Sequence, residues 1–179
     1  MKIGVFCSAN NNISQEYFTL TQELGEWMAK NGHTVVYGGC DMGLMKTIGH
    51  SVHDNGGQAI GVVPQIIEKH GIRANCLDVD IPVDNLSERK DIILAHSDII
   101  IALPGGIGTL DEVFTVAAGN TIGYHKKRVI LYNMNGFWNK TLELMEDLDK
   151  HGMIRGDYRE ILIPANNLEE IIAILEKVK

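Results

Sequence analysis

Segments typical of buried strands alternate with segments typical of amphipathic helices along the whole chain. Runs of apolar and β-branched residues predict strands at residues 2–7, 34–37, 58–63, 98–103, 128–132 and 161–163, with a further short strand near 76–79. Helices are expected between Ser14 and Gly32, and over residues 43–55, 85–97, 110–118, 137–151 and 167–178. Since no break in composition interrupts this alternation, we expect one α/β domain over residues 1–179. Its architecture would be a Rossmann-like, doubly wound parallel sheet with helices on both faces.

The composition disfavours several classes of protein. The chain has 16 basic and 23 acidic residues, a net charge of −7, whereas a binder of nucleic acid polymers needs a basic face. Its N-terminus turns polar at Ser8, too early for a signal peptide, and no apolar run approaches the roughly 18 residues of a membrane span. Three widely spaced cysteines form neither a disulfide framework nor a zinc motif, and His50 and His53 lack a third ligand. We therefore expect a cytoplasmic protein without a metal site.

The most informative motif is a strand, a glycine turn and a helix at residues 103–112, Leu-Pro-Gly-Gly-Ile-Gly-Thr-Leu-Asp-Glu. Gly105, Gly106 and Gly108 allow backbone N–H groups to approach a ligand without hindrance from side chains. The helix N-terminus that follows favours an anion such as phosphate. The spacing matches neither a dinucleotide-binding motif nor a P-loop. The segment therefore predicts a phosphate site, although a tight strand-to-helix connection would show the same pattern.

Glu112 in this motif has two interpretations. Thr109 and Glu112 have the spacing of a capping box, in which the carboxylate would only accept a hydrogen bond from the Thr109 N–H. Alternatively, Glu112 acts on a ligand beside the anion site. Asp111 and Glu112 point about 100° apart on a helix, so at most one of them faces a ligand.

Two further features lie near expected strand ends, where open α/β sheets bind their ligands. Arg89 and Lys90 fall in the first turn of the helix after Asn85, where the helix dipole disfavours cations. They are either held there for an anionic ligand or belong to a solvated helix start. A second glycine turn, Gly38-Gly39, follows the strand at 34–37 and either borders the ligand or is a plain connection.

Taken together, the segments Ser87-Glu88-Arg89-Lys90 and 103–112 resemble the Lonely Guy family, which is often labelled lysine decarboxylase. Members of that family are cytokinin-activating nucleoside 5′-monophosphate phosphoribohydrolases. The resemblance extends from about residue 3 to 155 and includes Tyr37-Gly38-Gly39 and Gly43-Leu44-Met45. Its specificity comes from the paired motif, because a single glycine turn occurs in many folds.

The resemblance implies hydrolysis of the N-glycosidic bond of a nucleoside 5′-monophosphate, by a homodimer without a cofactor. Arg89 and Glu112 would be the catalytic pair. Substrate contacts are expected from Lys90, from Gly39, and from the phosphate-binding turn of Gly105, Gly106, Ile107, Gly108 and Thr109.

The chain departs from the family pattern at Cys40, Gly119 and Thr121. The residues expected to bind phosphate and ribose are retained, whereas residues expected to meet the base are changed. A purine or pyrimidine nucleotide other than a cytokinin nucleotide is therefore at least an equal candidate substrate. The alternative function is a non-catalytic nucleotide-binding or cofactor-carrier protein on the same fold, like the molybdenum-cofactor carriers.

Overall fold

A parallel β-sheet organises residues 1–177, the part of the chain that the computed structural model describes. Within those residues the sheet has seven strands in the order β4-β3-β2-β1-β5-β6-β7, and every neighbouring pair is parallel. The strands are β1 Lys2–Phe6, β2 Thr34–Tyr37, β3 Gln58–Pro64, β4 Val79–Val83, β5 Ile99–Ala102, β6 Val129–Tyr132 and β7 Leu162–Ala165. The sequence-based prediction of a doubly wound parallel sheet is confirmed.

Helices cover both faces of this sheet. They are α1 Gln15–Lys30, α2 Gly43–Asp54, α3 Gln65–Lys69, α4 Leu86–Ala95, α5 Ile107–Thr121, α6 Asn139–Lys150 and α7 Leu168–Glu176. One buried apolar cluster contains side chains of α1, α2 and α7, and a second contains side chains of α4, α5 and α6. The inner strands are apolar almost throughout and both of their faces are buried, whereas the edge strand β4 is largely exposed. The last helix was expected to reach Val178, a residue that lies outside the described part of the chain.

The strand order reverses between β1 and β5. The chain first builds the sheet outward from β1 to β4, and α4 then carries it back so that β5 pairs with β1 on the other side. The loops that leave the carboxyl ends of β1 and β5 therefore diverge. A crevice at such a point is where open α/β sheets bind their ligands.

The N-terminus of α4 is fixed by the predicted cap. The Asn85 Oδ1 accepts hydrogen bonds from the backbone N–H groups of Ser87 and Glu88, each at 3.0 Å. Glu88 does not close a capping box with Asn85, because its Oε2 accepts from the N–H of Asp84, the residue before the cap, at 2.9 Å. Ser14 stands at the N-cap of α1 as predicted, yet within the described residues its side chain makes no capping bond.

The strand predicted near residues 76–79 lies instead at Val79–Val83, so this prediction is wrong by three to four residues. Pro82 lies inside β4, although a proline disfavours a central strand because it cannot donate to a sheet ladder. As β4 is the edge of the sheet, it tolerates this residue. Cys76 is buried away from the ladder, with its Sγ 3.7 Å from the Tyr37 hydroxyl.

Residues 1–177 contain no helix that is long and apolar enough to cross a membrane. The three cysteines are free and buried, and no group of three or more His, Cys, Asp or Glu side chains within this range is placed to hold a metal ion.

We expect Asn85→Ala to lower the free energy of unfolding by about 1 kcal/mol, because two N–H groups of α4 lose their acceptor. Ser14→Ala is the matched control, since it changes an N-cap residue whose side chain makes no such bond. It should change stability by less than about 0.5 kcal/mol. Urea denaturation followed by circular dichroism measures both, and equal effects of the two substitutions would contradict the assignment of the cap.

Candidate active site

The amino end of α5 is open. Gly106 is its N-cap residue, and no side chain within residues 1–177 caps this end. The first backbone bond of the helix runs from the Leu110 N–H to the Gly106 carbonyl at 3.0 Å, so the N–H groups of Ile107, Gly108 and Thr109 precede it. Three such donors at a helix N-terminus form a ready site for an anion.

The amino end of α2, after the second glycine turn, is closed by contrast. The Gly43 N–H donates to Asn11 Oδ1 at 2.8 Å, and the Leu44 N–H donates to the Ser8 carbonyl at 2.9 Å. Gly43 has a φ of +56°, and a Cβ there would lie 2.5 Å from the carbonyl carbon of Ala9. The loop after β1 therefore occupies this helix end and takes two of its leading N–H donors.

A cavity of about 320 Å³ joins the open end of α5 to the carboxyl end of β1. It is lined by Cys7, Ser8, Ala9, Asn10, Met45, Arg89, Gly106, Gly108, Thr109 and Glu112. The fold thus brings Arg89 and Glu112 together with three residues of the glycine turn, although they come from separate segments. The residues 8–10 that follow β1 were not among the predicted substrate contacts, although they line this cavity.

Glu112 is the buried carboxyl of this cavity. Its side chain is 7% exposed, and its Oε1 lies 3.5 Å from Arg89 Nη2. Burial raises the pKa of Glu112 from 4.5 to about 7, with the Arg89 guanidinium opposing the shift and Asp111 adding to it. Because α5 begins at Ile107, Thr109 lies inside the first turn and does not cap the helix, so the capping-box interpretation is wrong. The carboxyl is therefore placed to exchange a proton near neutral pH.

Arg89 is a buried cation with unused hydrogen-bond donors. Its side chain is 13% exposed, and its Nε has no hydrogen-bond partner within the described residues. The remaining contacts are long: 3.5 Å to Glu112 and 4.0 Å from Nη2 to Met45 Sδ. Leaving a buried polar group without a partner is costly, so this arrangement is typical of a side chain that meets its partner in a ligand.

The second glycine turn serves Arg89 through Gly38. A Cβ at Gly38 would lie 1.8 Å from Arg89 Nη2, so any larger residue would displace the guanidinium. Gly39, the residue predicted to bind substrate, has a φ of +63° and packs toward β3 instead. A Cβ there would lie 2.5 Å from Val63 Cγ2. The sequence did hold a signal for the role of Gly38. This residue directly follows β2, at the edge of the sheet where ligands are expected to bind.

Three other predicted substrate-binding residues have defined surroundings. Gly105 is required by packing, since a Cβ there would lie 2.0 Å from Thr109 Oγ1. The Ile107 side chain is 88% exposed, so only its backbone faces the anion site. Lys90 does not line the cavity, and its Nζ donates to Asp111 at 2.8 and 3.0 Å.

Two positions where the chain departs from the family pattern lie outside the cavity. Gly119 is seven residues after Glu112 on α5, about 10 Å farther along the helix. A Cβ at Gly119 would lie 2.6 Å from His125 Nε2, so this glycine makes room for a histidine of the next loop. Thr121 lines a separate cavity of about 470 Å³ at that end of α5. Within one chain, therefore, neither residue contacts the cavity that holds Glu112.

Cys7 also faces the cavity, at the end of β1. Burial raises the pKa of its thiol well above the ordinary value, and the nearby Glu112 adds to the shift. The thiol is therefore protonated at neutral pH and acts as a small, weakly polar part of the wall rather than as a nucleophile.

Comparison with known proteins gives a consistent picture. A family described as "Possible lysine decarboxylase" matches residues 45–175. The chain is 33% identical to a cytokinin riboside 5′-monophosphate phosphoribohydrolase of Arabidopsis thaliana, over 99% of this chain and 78% of that protein. It is 34% identical to the protein of the same name from Oryza sativa subsp. japonica, over 98% of this chain and 73% of that protein.

The fold is also found among solved structures. The molybdenum cofactor binding protein of Rippkaea orientalis superposes with a TM-score of 0.77, covering 99% of this chain and 96% of its own. Its sequence identity to this chain is 22%, so the likeness concerns the fold alone.

The raised pKa of Glu112 predicts a pH-dependent effect of Glu112→Gln on stability. A carboxyl whose pKa rises from 4.5 to about 7 on folding favours the fold while protonated, and this contribution is lost as the pH rises toward 7. The variant lacks this loss, so its stability relative to wild type should increase by roughly 2–3 kcal/mol between about pH 5 and about pH 8. Urea denaturation of both proteins at each pH measures the difference, and a difference independent of pH would show that the pKa of Glu112 is ordinary.

Proposed function

This chain belongs to the family described as possible lysine decarboxylases, which includes the phosphoribohydrolases, and we propose that it is a hydrolase of nucleoside 5′-monophosphates. It would cleave the N-glycosidic bond and release a free base and ribose 5-phosphate. The observation that carries this proposal is the placement of Arg89 and Glu112 in one cavity with the open amino end of α5. The supporting relatives carry the same activity in their names.

The 5′-phosphate would bind at the amino end of α5. The N–H groups of Ile107, Gly108 and Thr109 are available there, and the helix dipole favours a dianion. Glu112 lies four residues after Gly108 on the same face of the helix, about 6 Å along its axis. A ribose that extends from the bound phosphate along α5 would bring its anomeric carbon toward the Glu112 carboxylate.

Arg89 and Glu112 would then have complementary roles. As the C1′–N bond breaks, its electron pair leaves with the base nitrogen and positive charge develops on the ribose. The Glu112 carboxylate stabilises that charge and accepts a proton from the water that attacks C1′. The unused donors of Arg89 neutralise the negative charge that develops on the departing base, which finally takes up the proton.

The base would lie toward the carboxyl end of β1. Beyond Arg89 and Glu112 the cavity wall consists of Cys7, the residues 8–10 and Met45. These side chains are small or flexible and carry no charge, so they suit a neutral planar ring. We propose nucleoside 5′-monophosphates as the substrate class, with cytokinin nucleotides as one member.

The alternative is a protein that binds nucleotides without cleaving them. Phosphate binding explains the open end of α5, but a carrier gains nothing from Glu112, whose negative charge would weaken the binding of a dianion nearby. Decarboxylation of lysine is disfavoured too: among the described residues that line the cavity none is a lysine able to form a Schiff base with a cofactor.

We further propose a cytoplasmic homodimer that uses no cofactor and binds no nucleic acid polymer. The three free thiols suit a reducing compartment. Ile122 and Tyr124 at the carboxyl end of α5 are 58% and 84% exposed, and an interface between two copies would bury apolar side chains of this size.

We expect wild type to release base and ribose 5-phosphate from at least one member of a panel containing AMP, GMP, CMP, UMP and a cytokinin riboside 5′-monophosphate. Glu112→Gln should lower kcat by about 10²–10⁴-fold, and Arg89→Met by about 10²–10³-fold, because each removes stabilisation of charge in the transition state. Chromatographic detection of the free base measures turnover.

Lys140→Met is the control, as Lys140 forms an exposed ion pair with Glu143 on α6 and should leave kcat unchanged. Saturable binding of nucleotides with no release of base from any of them would favour the carrier instead.

The rate should also depend on the ionisation of Glu112. Because the carboxylate is the active form, kcat/KM should rise with pH through an apparent pKa of about 7 and then level off. The substrate phosphate loses its second proton near pH 6, about one pH unit below the pKa of Glu112. A rise of the pH–rate profile centred at about pH 6 would therefore report ionisation of the substrate. Initial rates between about pH 5 and 9 measure the limb, and a rate that falls over this range would contradict the role of the carboxylate.

A further inference from the structure

Lys90 makes the tightest polar contact between α4 and α5. Its Nζ donates to Asp111 Oδ2 at 2.8 Å, to Asp111 Oδ1 at 3.0 Å and to Thr115 Oγ1 at 3.2 Å. The Lys90 side chain is 18% exposed, and an ammonium group has three N–H donors. All three have an acceptor on α5, so Lys90 cannot bind a phosphate without giving up one of these contacts.

The polar contacts of the two helices come from consecutive residues. Arg89 and Lys90 follow one another on α4, and Asp111 and Glu112 follow one another on α5. Arg89 contacts Glu112 inside the cavity, and Lys90 contacts Asp111 on its outer side. Consecutive residues point about 100° apart on a helix. Rotation of either helix about its axis would therefore disturb both pairs together.

The inner pair cannot set its own geometry. Arg89 and Glu112 are 3.5 Å apart, and Arg89 Nε has no hydrogen-bond partner among residues 1–177. Within residues 1–177, the side-chain hydrogen bonds between α4 and α5 are those that Lys90 donates. The outer contact is therefore the polar link close enough to hold the two helices in one relative rotation.

We propose that Lys90, Asp111 and Thr115 form a positioning clamp that holds α4 and α5 in the rotation at which Arg89 faces Glu112. In this role Lys90 is a positioning residue and does not touch the substrate. The inference rests on the proposed function for its catalytic consequence, while the geometry of the clamp can be tested without turnover.

Electrostatics separates this role from a simple charge effect. Asp111 raises the pKa of Glu112 and Lys90 lowers it. If these residues acted only through that pKa, Lys90→Met and Asp111→Asn would change the rate near neutral pH in opposite directions. A clamp predicts that both substitutions lower kcat, because each removes the same contact.

The kinetic test uses Lys90→Met, Asp111→Asn, the double variant and the control Lys140→Met, with the nucleotide that wild type cleaves fastest. Each single substitution should lower kcat by about ten- to hundredfold, since a displacement of the order of 1 Å costs that much. The double variant should be no slower than the slower single variant. The control, which breaks an exposed ion pair on α6, should match wild type.

Binding of ribose 5-phosphate, measured by calorimetry, distinguishes positioning from direct contact. A clamp predicts an unchanged Kd in Lys90→Met. If Lys90 instead binds the phosphate, that variant should bind ribose 5-phosphate more weakly, and Asp111→Asn, which frees the ammonium, should bind it as well as wild type or better. This second pattern would overturn the proposal.

A crystal structure of Lys90→Met tests the position of Arg89 directly, and this test does not depend on turnover. We expect Arg89 Nη2 to move away from its 3.5 Å separation from Glu112 Oε1. If the separation stays unchanged, the clamp is refuted even where wild type is active. If wild type cleaves no nucleotide of the panel, the proposed function fails, but a displaced Arg89 in this crystal structure would still support the clamp.

Discussion

The open amino end of α5 is the feature on which the rest of the site depends. Every helix leaves N–H groups unpaired at its start, and most folds satisfy them with side chains, with neighbouring backbone or with water. In this protein the loop after β1 closes α2 through Ser8 and Asn11 but leaves α5 open. The reversal of strand order between β1 and β5 makes the loops that follow these two strands diverge. The crevice between these loops contains the amino end of α5, which is the positive end of the helix dipole.

Glu112 and Arg89, the two charged side chains beside this crevice, are placed in surroundings that lower the stability of the fold. Burial raises the pKa of Glu112 to about 7, and it leaves Arg89 with an unused donor. Gly38 is needed to make room for the guanidinium, since any Cβ at that position would overlap it. Buried charged groups of this kind lower the stability of the protein without its ligand. They are found where the groups bind a ligand or react with it.

The helix that brings Arg89 to the site is the crossover between the two halves of the sheet. The Asn85 cap fixes where α4 starts, and Lys90 fixes its rotation against α5. The proposed catalytic pair of Arg89 and Glu112 therefore depends on contacts outside the cavity. Substitutions at exposed positions such as Asp111 can reach the chemistry through this geometry without touching a substrate.

Local sequence patterns were enough to predict the layout of the protein. Alternating strand and helix patterns predicted the parallel sheet, Asn85 marked the start of α4, and the glycine turn marked the open amino end of α5, because these signals depend on residues close together in the chain. The strand β4 was misplaced because only the edge position of the sheet makes Pro82 acceptable there. The tertiary structure alone decided that Glu112 is not a cap, that Gly38 rather than Gly39 borders Arg89, and that Lys90 turns toward Asp111. Each of these features depends on a segment that is distant in sequence but packs alongside in the fold. A local sequence pattern does not show which segment that is.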